Sequence, residues 1–361
     1  MKHISLLAIS AIITAAAIPF GANAAPVPLS HSAGIVTNNI ATMQHTIMLN
    51  AFDNFDGSMA VTMGDYSSLE PLQSGGCSPV YGKTYCKGDI YGDDATARSC
   101  GHSGGDVAAS GYDWFDWRHA QDKAEFKDFD KIKSNYDLIS LGFSSDPKKL
   151  SHGFSQYGGF GGVALGREKG DDFKLTENGG YIGLYNGYHI GGFNITGAAD
   201  VGVLFSDTKS DMTDYDFTNL WVGAAINTSY NIMLGSKFTL QPGVYLGYTW
   251  IYSDGYESAT GNDISIDSAH MFEVTPFLRA LLSMGGDWYA AASARYVFNF
   301  NAGGDTKVAG AKIPELELKD YVEYGLSIEK GIDRFNMAIS LYRHDGGLTG
   351  WAGGINLRYI F

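Results

Sequence analysis

The residues best equipped for chemistry in this chain are a His–Asp dipeptide, a set of aspartates, a glycine run and an acidic loop. His344-Asp345, with Asp207, Asp211, Asp214 and Asp216 opposite, has the parts of a water-activating site: an imidazole base and carboxylates to orient it and share its proton. Gly159-Phe160-Gly161-Gly162-Val163-Ala164 fits the G-x-G-x-x-A spacing that lets a backbone approach a pyrophosphate. Ser253-Asp254-Gly255-Tyr256-Glu257, followed by Asp263 and Asp267, offers oxygen ligands to calcium. Each chemistry needs a particular element beneath it. The His–Asp pair and the four aspartates fall in stretches that read as polar loop tips, where such residues are ordinary. The glycine run has no strand-turn-helix context and reads as glycines smoothing a strand. The acidic loop lacks the regular ligand spacing of a calcium loop. The expectation is therefore no catalytic, cofactor-binding or metal-ligating residue, no cofactor, and no enzyme.

The N-terminus speaks to compartment. Lys2 and His3 form a short polar region, Ile4 to Phe20 is apolar apart from Ser5, Ser10 and Thr14, and Gly21-Ala22-Asn23-Ala24 supplies small residues for cleavage. This is the pattern of a secretory signal peptide over 1–24, cleaved after Ala24. No later stretch reaches the roughly 18 apolar residues of a membrane helix, although 45% of the chain is hydrophobic and 13% aromatic. The net charge of −14 argues against nucleic acid, whose phosphates demand a basic face. Cys77, Cys86 and Cys100 in an exported chain imply one disulfide and one remaining thiol. Their spacing matches no zinc motif. Cys77–Cys86, closing a small loop around Ser78 to Gly82, is the favoured pair, but spacing does not fix the pairing.

Two regions differ in pattern. Residues 25–105 open irregularly and carry a weak helical period over 39–55, at Ile40, Met43, Ile47 and Phe55. They then become rich in Gly, Ser, Asp and Cys. Residues 106–361 instead alternate with period 2, the repeat that sends successive side chains to opposite faces of a strand. In the last segment Trp351, Gly353, Ile355, Leu357, Tyr359 and Phe361 share one face, and Ala352, Gly354, Asn356, Arg358 and Ile360 the other. Similar division recurs at 335–342, 322–329, 288–299, 272–279 and 238–250. Weaker segments at 108–117, 135–145, 157–168, 179–188, 192–205 and 218–230 bring the expected strands to twelve.

The inward face carries Arg279, Arg295, Glu323, Glu329 and Arg358. Such charges are costly in a dry core and tolerable in the wet lumen of a membrane barrel. Pro242 and Pro276 interrupt this pattern, because proline removes a ladder donor, and they are expected at bulges or strand ends. Connections alternate in length from the C-terminus: 343–350 intermediate, 331–334 tight, 301–320 long, 284–287 tight, 253–268 long, 232–236 short, 206–217 long, 189–191 tight. Long external loops and short periplasmic turns give that alternation. The expected fold is all-β, a 12-stranded antiparallel transmembrane outer-membrane β-barrel, with one helix of the N-terminal segment in its lumen.

Residues 106–361 resemble the C-terminal translocator domain of autotransporters, the type V secretion family. The resemblance is carried by Tyr112-Asp113-Trp114-Phe115-Asp116-Trp117, Tyr136 to Phe143, Gly161 to Gly166, Leu240-Gln241-Pro242 and the closing Leu357-Arg358-Tyr359-Ile360-Phe361. It implies a pore helix ahead of the first strand, for which 39–55 is the candidate, and a C-terminal assembly signal at Leu357, Tyr359 and Phe361. It implies as partners the outer-membrane lipid with its lipopolysaccharide, the barrel-assembly machinery and periplasmic chaperones. Asn38-Asn39 is similar to the cleavage junction of one autotransporter protease subfamily, but adjacent asparagines are common and self-cleavage is not the expectation. The implied function is translocation or display of a short N-terminal segment at the cell surface. The rivals are a porin-like channel or structural barrel, and an adhesin acting through external loops whose ligand the sequence does not name.

Overall fold

The computed structural model describes residues 29–55, 77–80, 83–86, 111–126, 131–151, 153–170, 173–210, 214–257, 263–308, 311–313 and 317–361. One helix, α1 (Leu29–Phe55), precedes twelve long strands. These are β1 (Tyr112–Ala124), β2 (Ile132–Ser144), β3 (Gly153–Lys169), β4 (Phe173–Ile190), β5 (Phe193–Ser210) and β6 (Asp214–Tyr230). They continue as β7 (Phe238–Ser253), β8 (Ala269–Gly285), β9 (Trp288–Gly303), β10 (Tyr321–Ile332), β11 (Phe335–Gly346) and β12 (Leu348–Ile360). Every strand pairs antiparallel with its neighbour in sequence. The sheet closes where β12 meets β1, from Leu348↔Ala124 to Ile360↔Tyr112. Closure leaves no free edge, the condition for strands to cross a bilayer.

Period 2 places the side chains as the alternation requires. On β12, Trp351, Leu357 and Tyr359 are exposed while Gly354, Asn356, Arg358 and Ile360 are buried. Phe335, Met337, Ile339 and Leu341 of β11 and Tyr324, Leu326 and Ile328 of β10 continue the outer face. Exposed Leu, Ile, Phe and Tyr over a whole surface are unfavourable in water and favourable in lipid. The two ends of the barrel differ. One, the turn end, carries two-residue hairpins at Gly191-Gly192, Gly286-Asp287 and Asp333-Arg334. Gly286 and Asp287 both have positive φ, 58° and 60°, as the tight turn matching strand twist demands. The other, the loop end, carries 254–268 and 304–320. Their segments Tyr256–Glu257, Asp263–Ile266, Thr306–Val308 and Ala311–Ile313 form a separate four-stranded sheet.

Four expectations change in detail. The first strand covers 112–124 and not 108–117. The expected loop 206–217 is mostly strand, because β5 and β6 stay paired from Ser206↔Phe217 out to Lys209↔Asp214. The expected loop 343–350 shrinks to Gly347, as β11 and β12 run almost to each other. The prolines lie inside strands without bulging them. Pairing of β7 with the preceding chain lapses at Pro242, between Gly243↔Ser229 and Leu240↔Ile232. Pairing of β8 with β9 lapses at Pro276, between Val274↔Phe298 and Phe277↔Arg295. The missing N–H costs local ladder bonds, and the flanking pairs hold the register.

The interior is filled. No residue of 34–55 is exposed, so α1 is surrounded by the wall on all sides. Aromatic rings lie flat over glycines on the same inner face: Tyr181 against Gly162, and Trp221 against Gly202. A side chain at either glycine would collide with the ring, so these glycines make room for aromatics that thicken the wall toward α1.

Candidate functional site: the plugged lumen

α1 has no Lys, Arg or Glu in its 27 residues, and its polar groups are Asn, Gln, Thr, Ser, His and one Asp. Ile35, Val36, Ile40, Met43, Ile47, Met48, Phe52 and Phe55 are all buried. So are Asn38, Asn39, Gln44, His45, Asn50 and Asn54. A helix with apolar and polar residues both buried must sit in a polar cavity that it nearly fills, because buried polar groups need partners. The wall supplies them at three levels.

At the turn end, Asn54 is the hub. The Tyr112 hydroxyl of β1 donates to its carbonyl oxygen. Asn356 Nδ2 and Arg358 Nε of β12 donate to its Oδ1 at 3.2 Å and 3.1 Å. Arg358 Nη2 also reaches the Asp53 carbonyl at 3.2 Å, and Nη1 lies 3.8 Å from Glu329 Oε2. A guanidinium on the last carbonyls of a helix complements its negative end. Phe55 stacks on His189 at 4.9 Å. Asn54, in the last turn of α1, thus joins both strands of the closing seam.

Midway, charges balance around α1. Arg295 donates to Glu323. His344 Nδ1 is 2.9 Å from Asp122 and Nε2 is 3.2 Å from Glu323. An imidazole facing carboxylates through both nitrogens donates both bonds only as imidazolium. Arg118 holds Asp116 at 3.0 Å and lies 3.6 Å from Asp53 of α1. His45 of α1 lies 2.7 Å from Glu273, and Thr46 meets the Tyr136 hydroxyl at 3.0 Å. The space left between Thr42, His45, Leu49, Arg118, Glu323 and His344 is about 470 Å³, including its opening.

At the loop end, Asn39 Nδ2 donates to Glu168 Oε1 at 2.7 Å and to Glu177. Glu168 and Glu177 are 2% and 0% exposed, on adjacent strands with no cation against them in any described contact. Ser134 Oγ adds bonds to Asn39 Oδ1 and Glu168. Asn301 donates to Asn38 at 3.3 Å.

The inward-facing candidates lie as follows. Arg295, Glu323, Glu329 and Arg358 all join the network around α1. Arg279 is on the lumen face of β8, opposite Gln241 and Ser293, and forms no ion pair with a described residue. Leu357, Tyr359 and Phe361 are exposed on the outer face, with Phe335 packed on Tyr359 at 4.9 Å. Cys77 and Cys86 are register partners in the hairpin Cys77–Val80 with Lys83–Cys86. Ala24 and Cys100 lie outside the described residues.

The candidate chemistries come apart. His344 points inward to Asp122 and Glu323, whereas Asp345 points outward to Tyr324 and Arg343, so the dipeptide makes no pair. Asp207, Asp214 and Asp216 lie on strands β5 and β6, and Asp211 falls outside the described residues. The run Gly159–Ala164 is the interior of β3. Asp267 pairs with Lys307 at 2.8 Å. Among the described residues no group of three or more His, Cys, Asp or Glu is placed to hold a metal ion. Sequence reasoning missed Asn54, Arg118, Asp122, Glu168 and Glu177, and singled out Asn39 only within the dipeptide Asn38-Asn39. The signal available was α1 itself, a long helix without the Lys, Arg and Glu that a water-facing helix carries.

Comparison with known proteins agrees with this geometry. The model of the autotransporter beta-domain matches residues 111–340. No curated protein sequence matches the chain. Among solved structures, the transport unit of the autotransporter AIDA-I from Escherichia coli has a TM-score of 0.59 at 14% identity, covering 75% of this chain and 94% of that one. The beta domain of the Bordetella autotransporter BrkA gives 0.57 at 14%, covering 70% and 100%. The translocator domain of NalP from Neisseria meningitidis gives 0.60 at 11%, covering 70% and 89%. A 12-stranded closed barrel with a helix through its lumen, matched over most of its wall by that family model, belongs to the autotransporter beta-domain family of the bacterial outer membrane.

Proposed function

We propose that the barrel carries its own N-terminal segment outward and retains α1 as the plug of the emptied pore. The observation that supports this most directly is the direction of α1. Its last turn is tied to the turn end by Asn54 and Arg358, and Asn39 lies at the loop end beside Glu168. With the short turns in the periplasm and the long loops outside, whatever precedes Leu29 emerges at the cell surface. Residues 1–24 are the export signal, cleaved after Ala24. Residues 25–105 hold the displayed stub, the plug and a linker, and 106–361 the barrel. Leu357, Tyr359 and Phe361 are the signal for the barrel-assembly machinery, which periplasmic chaperones feed. The opposed Cys77 and Cys86 form a disulfide in the oxidising periplasm. The test is an epitope tag after Ala25 on intact cells. External protease should remove it. A tag that survives until the outer membrane is permeabilised overturns outward transport.

α1 opposes the open-channel reading, since its residues 34–55 lie buried within the lumen. The four-stranded sheet of the external loops is a stable platform for an adhesin, and deleting 256–266 with assembly retained separates that role from transport.

One observation favours a second reading, scission at Asn38-Asn39 inside the lumen. Two buried carboxylates converge on Asn39. Asn38 Nδ2 would attack its own carbonyl carbon, forming a succinimide while the peptide C–N bond breaks. A carboxylate of the pair relays the amide proton to the departing Asn39 amine. N-terminal sequencing of the barrel from outer membranes decides this: a chain starting at Asn39 supports scission, and one retaining residues before Asn38 excludes it.

A further inference from the structure

Five lysines form one cross-strand row on the outer face of the wall at its loop end. Register sets Lys123 opposite Lys133, Lys133 opposite Lys169, Lys169 opposite Lys174, and Lys174 opposite Lys209. All five are exposed. Like charges directly opposite destabilise a sheet, and this chain has only 25 Lys and Arg against 39 Asp and Glu. Across β1 to β4 the row is nevertheless uncompensated by the wall, whereas Lys209 on β5 has Asp214 of β6 as its register partner. Among the described residues Lys123, Lys133, Lys169 and Lys174 form no ion pair, and Lys209 meets only Asp207 at 3.5 Å.

The next row toward the bilayer adds charge of the same sign. It reads Gln121, Asn135, Arg167 and Thr176 across β1 to β4, with no carboxylate before Asp207 on β5. One row further down reads His119, Asp137, Leu165, Asn178 and Phe205, so the apolar surface begins at Leu165 and Phe205 on β3 and β5 and a row lower, at Trp117 and Ile139, on β1 and β2. At ~3.4 Å per residue and a tilt of ~40°, the lysines stand on the order of 10 Å above that boundary. Their stems reach down toward it. Register partners on tilted strands climb by about 3 Å per strand, so the row rises obliquely over about 9 Å through the polar layer above the apolar band, on one side of the barrel. The outward positions at the loop ends of β7 to β10 are Tyr252, His270, Ala302 and Val322.

We propose that the row Lys123–Lys133–Lys169–Lys174, with Arg167 beneath it, is a docking surface for the phosphate groups of an anionic glycolipid of the outer leaflet. A phosphate seated between two lysines replaces their repulsion by charge-assisted hydrogen bonds. Acyl chains then run down the apolar face of β1 to β5. The proposal rests on the outward orientation of the loop end given above.

The experiment uses the full chain, extracted in mild detergent and assayed for lipopolysaccharide retained per barrel. The variant K123Q/K133Q/K169Q/K174Q should lose about fivefold or more of the retained lipid, with heat-modifiable migration reporting that the barrel still forms. The turn-end control K148Q/K237Q should retain it. If the quadruple variant does not fold, K123Q/K133Q and K169Q/K174Q should each lose part of the lipid. Equal retention by wild type and the lysine variants overturns the proposal, as does equal rebinding of dephosphorylated lipopolysaccharide by delipidated barrel. Displacement by millimolar inorganic phosphate would show a general anion site and overturn the lipid assignment. Labelling of intact cells with a membrane-impermeant amine reagent tests orientation separately: lysines protected until the membrane is opened sink the outward reading, whatever the retention assay shows.

Discussion

Arg358 is where one side chain performs two tasks. It stands in the closing strand, and its guanidinium reaches Asn54, the Asp53 carbonyl and Glu329. Arg358→Met should lower the thermal unfolding midpoint of the barrel in detergent, at a cost of about 2–4 kcal/mol, because it leaves Glu329 and the end of α1 without a buried cation. Arg358→Lys should recover only part of this, since an ammonium has no planar fork to satisfy several oxygens. An unchanged midpoint for Arg358→Met would mean that water in the lumen replaces the arginine without loss. That Arg358 faces inward was legible from period 2 alone. Its partners were not. Asn54 lies three hundred residues away in sequence, and only closure of β12 on β1 brings it near. Arg295 with Glu323 is the intermediate case, since these two sit opposite each other on adjacent strands, and a known register would have revealed the pair.

At the scale of elements, the strands were legible and the helix only partly so. All twelve strands carry alternation strong enough to read, because lipid on one side and a polar lumen on the other impose opposite demands on successive residues. Their lengths were underestimated. β4 and β5 have 18 residues each, ~60 Å when extended, well beyond what the ~25 Å apolar band requires. The extra length is polar on its outer face, as at Lys174, Thr176 and Asn178 on β4 and Asp207 and Lys209 on β5, and carries no lipid signal, so it read as loop. α1 was expected over 39–55 and covers Leu29–Phe55. The missed part includes Thr37 and Asn38, residues that look like a helix boundary in water; Asn38 is tolerated here because its own turn and the wall bond it. Deleting 29–55 should leave a barrel that still migrates as folded and conducts ions in planar bilayers at several times the wild-type level. Conductance no higher than wild type would show that the loops, and not α1, close the pore.

Over the whole molecule, the loop end is drawn together across the mouth. Leu318 bridges to Phe126, and Glu125 takes Lys131 and Lys319 at 2.6 Å each. This ties the connection before β10 to the one after β1. Hydrogen bonds from Lys131 and then Lys319 lower the Glu125 pKa to about 2 from an ordinary 4.5. A depressed carboxylate contributes its full share above the unfolded pKa and loses it as pH falls through the folded one. Proteolysis within 304–320 should therefore be constant from neutral pH down to about 4.5 and rise between there and about 2, whereas Glu125→Gln should show the raised rate already at neutral pH. A profile without that rise would assign the closure to the Phe126–Leu318 contact alone.

The bond from Tyr112 to Asn54 sets a boundary condition on the chain between them. The point where the polypeptide leaves the lumen and the point where it enters the wall are in contact, so residues 56–110 depart from and return to nearly the same place. For such a closed excursion each doubling of contour length costs only ~0.6 kcal/mol of closure entropy. The barrel and its plug are thus nearly indifferent to how much sequence is spliced in there. Evolution or an engineer can lengthen 56–110, or seat a folded domain within it, while the barrel assembles as before. The same insert placed ahead of Leu29 would have to thread the pore.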